Sequence, residues 1–250
     1  MKNIFKINTL TYLFFLLSIL SGYYKNILCI YLILIIHELG HYIIMKIYKI
    51  KVSSITLYPY GGMIKSYMMI NTNSKKVLLI SLGGIIFQLI FILIIIIIYN
   101  LNLIDISIYK LFIENNLYII IFNLVPIYPL DGFKILNSTL ELIFNFQKSN
   151  YISFIINIIF LIVFFLYLYI FKISNYLIII FLIINLINYI KEFKYTINKF
   201  YIERYLYDIE YNGLISVKNI NKMYKNKLNY INGKIEKEYL SIKFAKRDKI

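Results

Sequence analysis

Residues 26–45 read NILCIYLILIIHELGHYIIM. A run of this length is what a helix needs to cross the ~30 Å hydrocarbon core of a bilayer. It is apolar apart from Asn26 at its start and His37, Glu38 and His41 towards its end. A charged side chain at the bilayer centre costs about 2.5–3.5 kcal/mol on insertion scales, so ionisable groups there are kept for function. His37 and His41 are also the only two histidines of the 250-residue chain. Four residues is slightly more than one helical turn, so both imidazoles project from one face and can hold one metal ion. Glu38 falls about 100° round from His37, beside such an ion rather than on it. There it can take a proton from water, and the ion that suits the H-E-x-x-H pattern is Zn2+. The opposing reading, two histidines displayed on a helix surface, leaves three costly polar groups on a membrane helix without a purpose.

Further uncharged runs occur at Ile7–Tyr24, Val77–Asn100, Tyr151–Phe171 and Ile173–Ile190. Asn115–Leu130 is shorter and bounded by Glu114 and Asp131. Together they predict an all-α polytopic membrane protein of about six transmembrane helices, in a chain that is 60% hydrophobic. Residues 1–190 form the six-span domain; residues 191–250 form a basic cytoplasmic tail, read as a small helical extension or a partly ordered segment. Lys2 and Lys6 ahead of an apolar run imitate a secretory signal, but no A-x-A-like cleavage site follows, so a retained first helix is expected. With the N-terminus in the cytoplasm, 24 of the 27 Lys and Arg fall on the cytoplasmic side, leaving Lys25, Lys110 and Lys172 outside. Positive charge on the inside puts both termini in the cytoplasm of a multi-pass protein of the cell membrane. The net charge of +15 is thereby read as orientation and attraction to anionic lipids, not as nucleic-acid binding. The single Cys29 excludes an intramolecular disulfide and reads as a packed thiol.

Catalytic zinc takes three protein ligands and keeps one position for water. No third histidine exists, and Asp131 is the remaining ionisable group inside an apolar run, so it is the candidate third ligand. The second and fourth spans both run from outside to inside, which brings His41 and Asp131 to a similar depth. Asp131 closes NLVPIYPLDG, residues 123–132. Pro126 and Pro129 loosen the backbone there, which a membrane protein tolerates only where it is buried or lines a wet cavity. Asn123 is placed either to hydrogen-bond a substrate backbone or developing oxyanion, or to make an interhelical hydrogen bond. Gly83 and Gly84 let a neighbouring helix approach closely. Residues 51–69, KVSSITLYPYGGMIKSYMM, read as a short β-hairpin-like strand pair lying at the membrane, or as an ordinary cytoplasmic loop. In the first reading the strand offers an edge to an extended substrate, with Gly61 and Gly62 permitting a tight turn or a close backbone approach.

HELGH on the second span, with N-x-x-P-x-x-P-L-D-G on a later one, resembles the site-2 protease family of intramembrane metalloproteases. The resemblance runs from Lys2 to about Tyr207 and includes PYGG at Pro59–Gly62 and FYIERYLYD at Phe200–Asp208. It implies His37, His41 and Asp131 as zinc ligands and Glu38 as the general base. More narrowly, it implies cleavage of a membrane-associated pro-sigma factor in the outer forespore membrane during endospore formation, with membrane-protein inhibitors as further partners. Two departures stand out. No ATP-sensing CBS domain is recognisable in Lys191–Ile250. The third span reads SLGGIIFQ, where many relatives have Gly-Pro followed by Asn or His, so Gln88 either takes over a polar task there or has none. Within the same chemistry, an anti-sigma factor or a remnant signal peptide is the alternative substrate. From a different class come a polytopic zinc transporter and a non-catalytic membrane scaffold; a transporter would carry polar residues on several spans.

Overall fold

The computed structural model describes residues 5–58, 61–170, 176–211 and 213–247; Lys2, Pro59, Tyr60 and Lys172 lie outside the described residues. The chain divides into two compact units, residues 1–68 with 79–124, and residues 69–78 with 125–250.

In the first unit, β1 (Phe5–Ile7) leads into α1 (Thr9–Leu20) and α2 (Tyr24–Ile47). Asn8 caps α1, its side chain accepting from the Leu10 amide at 2.9 Å. The helical path ends at Gly22, whose φ of +77° suits glycine. These two signals make α1 shorter than the apolar run at Ile7–Tyr24 suggests. β2 (Val52–Tyr58) pairs antiparallel with β3 (Gly61–Ser66), with Ile55 opposite Ile64 and a register irregularity between Val52 and Ser54. β1 adds to β2 in parallel, Phe5 opposite Ile55, so the order is β1-β2-β3 and the fold is not purely helical. Ile55 and Leu57 on β2 are buried, and the Leu57 carbonyl accepts from the Asn8 amide and the Thr11 hydroxyl, each at 3.0 Å. α3 (Ser74–Asn100) and α4 (Ile106–Leu124) complete this unit, although the first turn of α3 belongs to the second. α4 begins nine residues before Asn115, carrying Lys110 and Glu114 within it, and stops at Leu124, ahead of Pro126.

In the second unit, α5 (Asp131–Ile143), α6 (Phe146–Ile170) and α7 (Tyr176–Leu206) are followed by β4 (Leu214–Val217), a short 3-10 turn, β5 (Leu228–Ile231), β6 (Lys234–Ile235) and α8 (Glu236–Arg247). Asp131 therefore opens a helix instead of closing a span, because Pro126 and Pro129 divide the run that precedes it. α7 continues unbroken through the change of composition at Lys191. Beyond it the tail is a folded α+β element: β4 pairs with β5 in parallel and β5 with β6 antiparallel. Its core joins Phe146 and Phe200, stacked at 4.0 Å, with Tyr201, Met223, Ile231 and Leu240. Burial pushes the Tyr201 hydroxyl up to about 12, so it stays protonated and donates to the Ile220 carbonyl at 3.3 Å.

Among the described residues three helices are long and apolar enough to cross a membrane: α2, α3 and α6 over Phe146–Leu168. α6 turns Ile155, Ile159, Val163 and Leu166 outward, the pattern of a helix meeting lipid.

Candidate metal centre

The buried residues of α2 include Cys29, Ile33, His37, His41 and Met45, one every four positions, so the histidines continue an inward-facing stripe. α4 lies along the start of this stripe: the Cys29 thiol meets the Leu111 carbonyl at 3.7 Å, and Asn115 donates to the Asn26 side chain at 2.8 Å. α3 lies along its end. A Cβ at Gly40 would stand 2.3 Å from the Gly83 carbonyl oxygen, so the two backbones meet with no room for a side chain.

The imidazoles sit against the next position of α3. A Cβ at Gly84 would fall 2.5 Å from His37 Cε1 and 2.6 Å from His41 Nε2. Each ring also has a hydrogen-bond partner on α3. His41 Nδ1 lies 2.7 Å from the Ile80 carbonyl oxygen, and His37 Nδ1 lies 2.9 Å from Gln88 Oε1. Both partners accept, so both Nδ1 atoms carry the proton and donate. The two Nε2 atoms then turn lone pairs towards one point, 3.0 Å apart. Two lone pairs at that distance repel unless a cation lies between them. Nitrogens bound to one zinc at ~2.0–2.1 Å and a tetrahedral angle stand ~3.3 Å apart, so the pair fits the ion.

Glu38 is buried beside the histidines, 7% exposed. β3 passes directly over it: a Cβ at Gly62 would lie 2.3 Å from Glu38 Cγ and 2.5 Å from Oε1. Gly61, at φ +150°, meets nothing at that range; there the glycine serves the backbone. Asn123 donates to the Ile119 carbonyl of its own helix at 3.0 Å. In the second unit Asp131 is buried in the first turn of α5, where the helix dipole favours a carboxylate. Lys134, one turn on, donates to its Oδ1 at 3.0 Å.

Sequence reasoning left Gln88 undecided and did not single out Asn116. Gln88 Nε2 donates to Asn116 Oδ1 at 3.0 Å, and Asn116 Nδ2 donates back to the Gln88 carbonyl at 3.2 Å. The available signal was a pair of amides in two apolar helices, with nothing local to say that they meet. Gly84 was read as a packing glycine; its neighbours are the two imidazole rings.

Residues 25–106, which take in α2 from its second residue, β2, β3 and α3, match the model of peptidase family M50. The chain is 27% identical over 192 residues to stage IV sporulation protein FB of Bacillus subtilis, an overlap of 76% of this chain and 67% of the relative. It is 31% identical over 122 residues to a zinc metalloprotease of Methanocaldococcus jannaschii, covering 48% of this chain but only 35% of that protein. Among solved structures it resembles the site-2 protease of Methanocaldococcus jannaschii, with a TM-score of 0.53 and 25% identity over 71% of this chain and 85% of that one. In sequence over residues 25–106 and in fold, the chain is similar to the site-2 proteases of peptidase family M50.

Proposed function

We propose that this protein is a zinc endopeptidase that hydrolyses a peptide bond of a membrane-associated protein, with His37, His41 and Asp131 as ligands and Glu38 as general base. The observation that carries the reading is the buried histidine pair, both Nδ1 atoms donating and both Nε2 lone pairs converging beside a buried carboxylate. A transporter or scaffold has no use for a base beside the ion. When bound, zinc lowers the pKa of a water to about 7 and polarises a carbonyl. Glu38 takes the proton of the attacking water and hands it to the departing amine. A peptide bond inside a helix is shielded by its own hydrogen bonds, so the substrate is read as an extended strand. β3 is an outer strand of its sheet and touches Glu38 at Gly62, which supports strand addition along Gly61–Ser66. Asn123 is proposed to bind the substrate backbone, on relinquishing its bond to Ile119.

The likeness to stage IV sporulation protein FB supports a pro-sigma factor as substrate and the outer forespore membrane as location. The distribution of basic residues supports six spans with both termini cytoplasmic and contacts with anionic lipids. The test separates metal from base. Glu38→Gln should retain zinc and lose cleavage of a co-expressed pro-sigma factor, whereas His37→Ala, His41→Ala and Asp131→Ala should lose both. Metal analysis of the purified variants decides, and an active Glu38→Gln enzyme would refute the base assignment. Cutting of an anti-sigma factor or a remnant signal peptide, with no pro-sigma factor cut, would keep the chemistry and reject the sporulation substrate.

A further inference from the structure

Polar side chains among apolar helices must find their hydrogen bonds inside the protein. Gln88 on α3 is completely buried and Asn116 on α4 is 1% exposed. Their bonds form a directed chain whose far end fixes its near end. Asn116 Nδ2 has a backbone carbonyl to donate to, that of Gln88 at 3.2 Å, so Asn116 Oδ1 is the atom that accepts. Gln88 must then present its NH2 to Asn116 and its oxygen to His37, 2.9 Å from Nδ1. An amide oxygen only accepts. The proton is thereby held on Nδ1 of His37, and the lone pair on Nε2.

The same logic serves His41 by a different part. Its Nδ1 is held by the backbone carbonyl of Ile80, two turns before Gln88 on the same helix. Positions 80, 84 and 88 form one stripe of α3: an acceptor for one ring, a glycine that admits both rings, and an acceptor for the other. A backbone carbonyl comes with any helix, whereas the Gln88 oxygen exists only because of that side chain and the amide that aims it.

We propose that Gln88, aimed by Asn116, is the positioning residue for His37, setting the tautomer and ring orientation in which Nε2 binds the metal. The proposal rests on the zinc reading above. Partners of this kind behind a ligating histidine typically change metal affinity 10–100-fold when removed.

The test uses the full chain purified in detergent, with Co2+ as a spectroscopic substitute for zinc, titrated against a competing chelator. Gln88→Met keeps the length and bulk of the side chain and removes the acceptor; about 10–100-fold weaker binding and an altered cobalt absorption spectrum are expected. Gln88→Glu keeps an oxygen facing Nδ1 but has no NH2 for Asn116 Oδ1, so it should hold the metal more tightly than Gln88→Met and less tightly than the unaltered protein. Asn116→Ser leaves Gln88 in place without its anchor and should weaken binding by less, in the same direction; this arm decides if Gln88→Met does not fold. Unchanged affinity in Gln88→Met and Asn116→Ser overturns the proposal, as does equal loss in Gln88→Met and Gln88→Glu. His37→Ala tells the two readings apart. Metal lost there but kept in Gln88→Met removes the positioning role alone, whereas metal kept in His37→Ala removes the zinc site and the positioning role together.

Discussion

A methyl group at Gly62 would need the space that Glu38 Cγ, Cδ and Oε1 already occupy, at 2.3, 2.4 and 2.5 Å. The obstacle is the end of a flexible side chain, not backbone, so β3 can stay in place while the carboxylate swings away. That difference decides which property suffers. On the role proposed for Glu38, Gly62→Ala should fold and hold zinc much as the unaltered protein does, yet cut at least ~10-fold more slowly, because displacing a general base forfeits a contribution of 10²–10⁴ in part or whole. Zinc content, folded yield and cleavage rate of the purified variant check this together; parallel loss of all three would make Gly62 a structural glycine only. Gly61, one residue earlier, has open space around it and a φ of +150°, so its demand falls on the backbone and not on Glu38.

Along α3 the same kind of reasoning separates two neighbouring glycines. Gly83 faces the backbone of Gly40, where a Cβ would sit 2.8 Å from the Gly40 carbonyl oxygen, and Gly84 faces the imidazoles. The rings cannot turn aside cheaply, since His37 and His41 are each held through Nδ1. Gly84→Ala should therefore release metal to a chelator at far lower concentration, while Gly40→Ala, pressing backbone on backbone, should reduce the folded yield of the protein; metal retention and thermal unfolding separate the two. HELGH was legible because an i, i+4 spacing fixes its own geometry. The break before Asp131 was legible in its prolines, but its consequence, a new helix beginning at Asp131, was not. β1 is three residues long, too short for any periodicity, and its partner lies about fifty residues away. The tail strands are of four residues or fewer and gain their stability from the core around Phe200, which no local pattern announces.

At the scale of the molecule, the basic tail offers a surface on which a substrate's soluble part could dock, but the second unit gives it a structural task first. Arg204 is fully buried and spends all five N–H donors: on Asn71 Oδ1 at 2.9 Å, Glu236 Oε2 at 2.5 Å, and the carbonyls of Tyr224, Lys225 and Lys227. Next to it Glu203 accepts the amides of Ile70 and Asn71, at 3.2 and 3.0 Å. Buried Glu141 accepts from Lys225 at 2.7 Å and from the Ser74 hydroxyl at 2.8 Å, at the first residue of α3. The FYIERYLYD stretch thus joins the end of α7, the tail sheet and the segment that enters α3. Cutting the chain after Lys199 would remove Phe200, Glu203 and Arg204 at once, so lost activity in that deletion reports folding before it reports docking. Arg204→Met isolates the fold: it leaves Glu236 buried beside an apolar group, at a cost of about 3–5 kcal/mol. Replacing both charges, Arg204→Met with Glu236→Leu, should recover a large part of that loss, because the uncompensated charge is gone. Chemical unfolding of the three proteins measures this, and a double variant no more stable than Arg204→Met would show that the backbone carbonyls, not the ion pair, are what Arg204 serves. Docking is then tested on the exposed side of the same element, where Lys218 and Lys222 can be reversed to Glu without touching the buried network. If the tail binds substrate, that reversal should raise the substrate concentration needed for half-maximal cleavage while leaving the unfolding transition unmoved, and a shift in stability with no change in cleavage would confine the tail to holding α3.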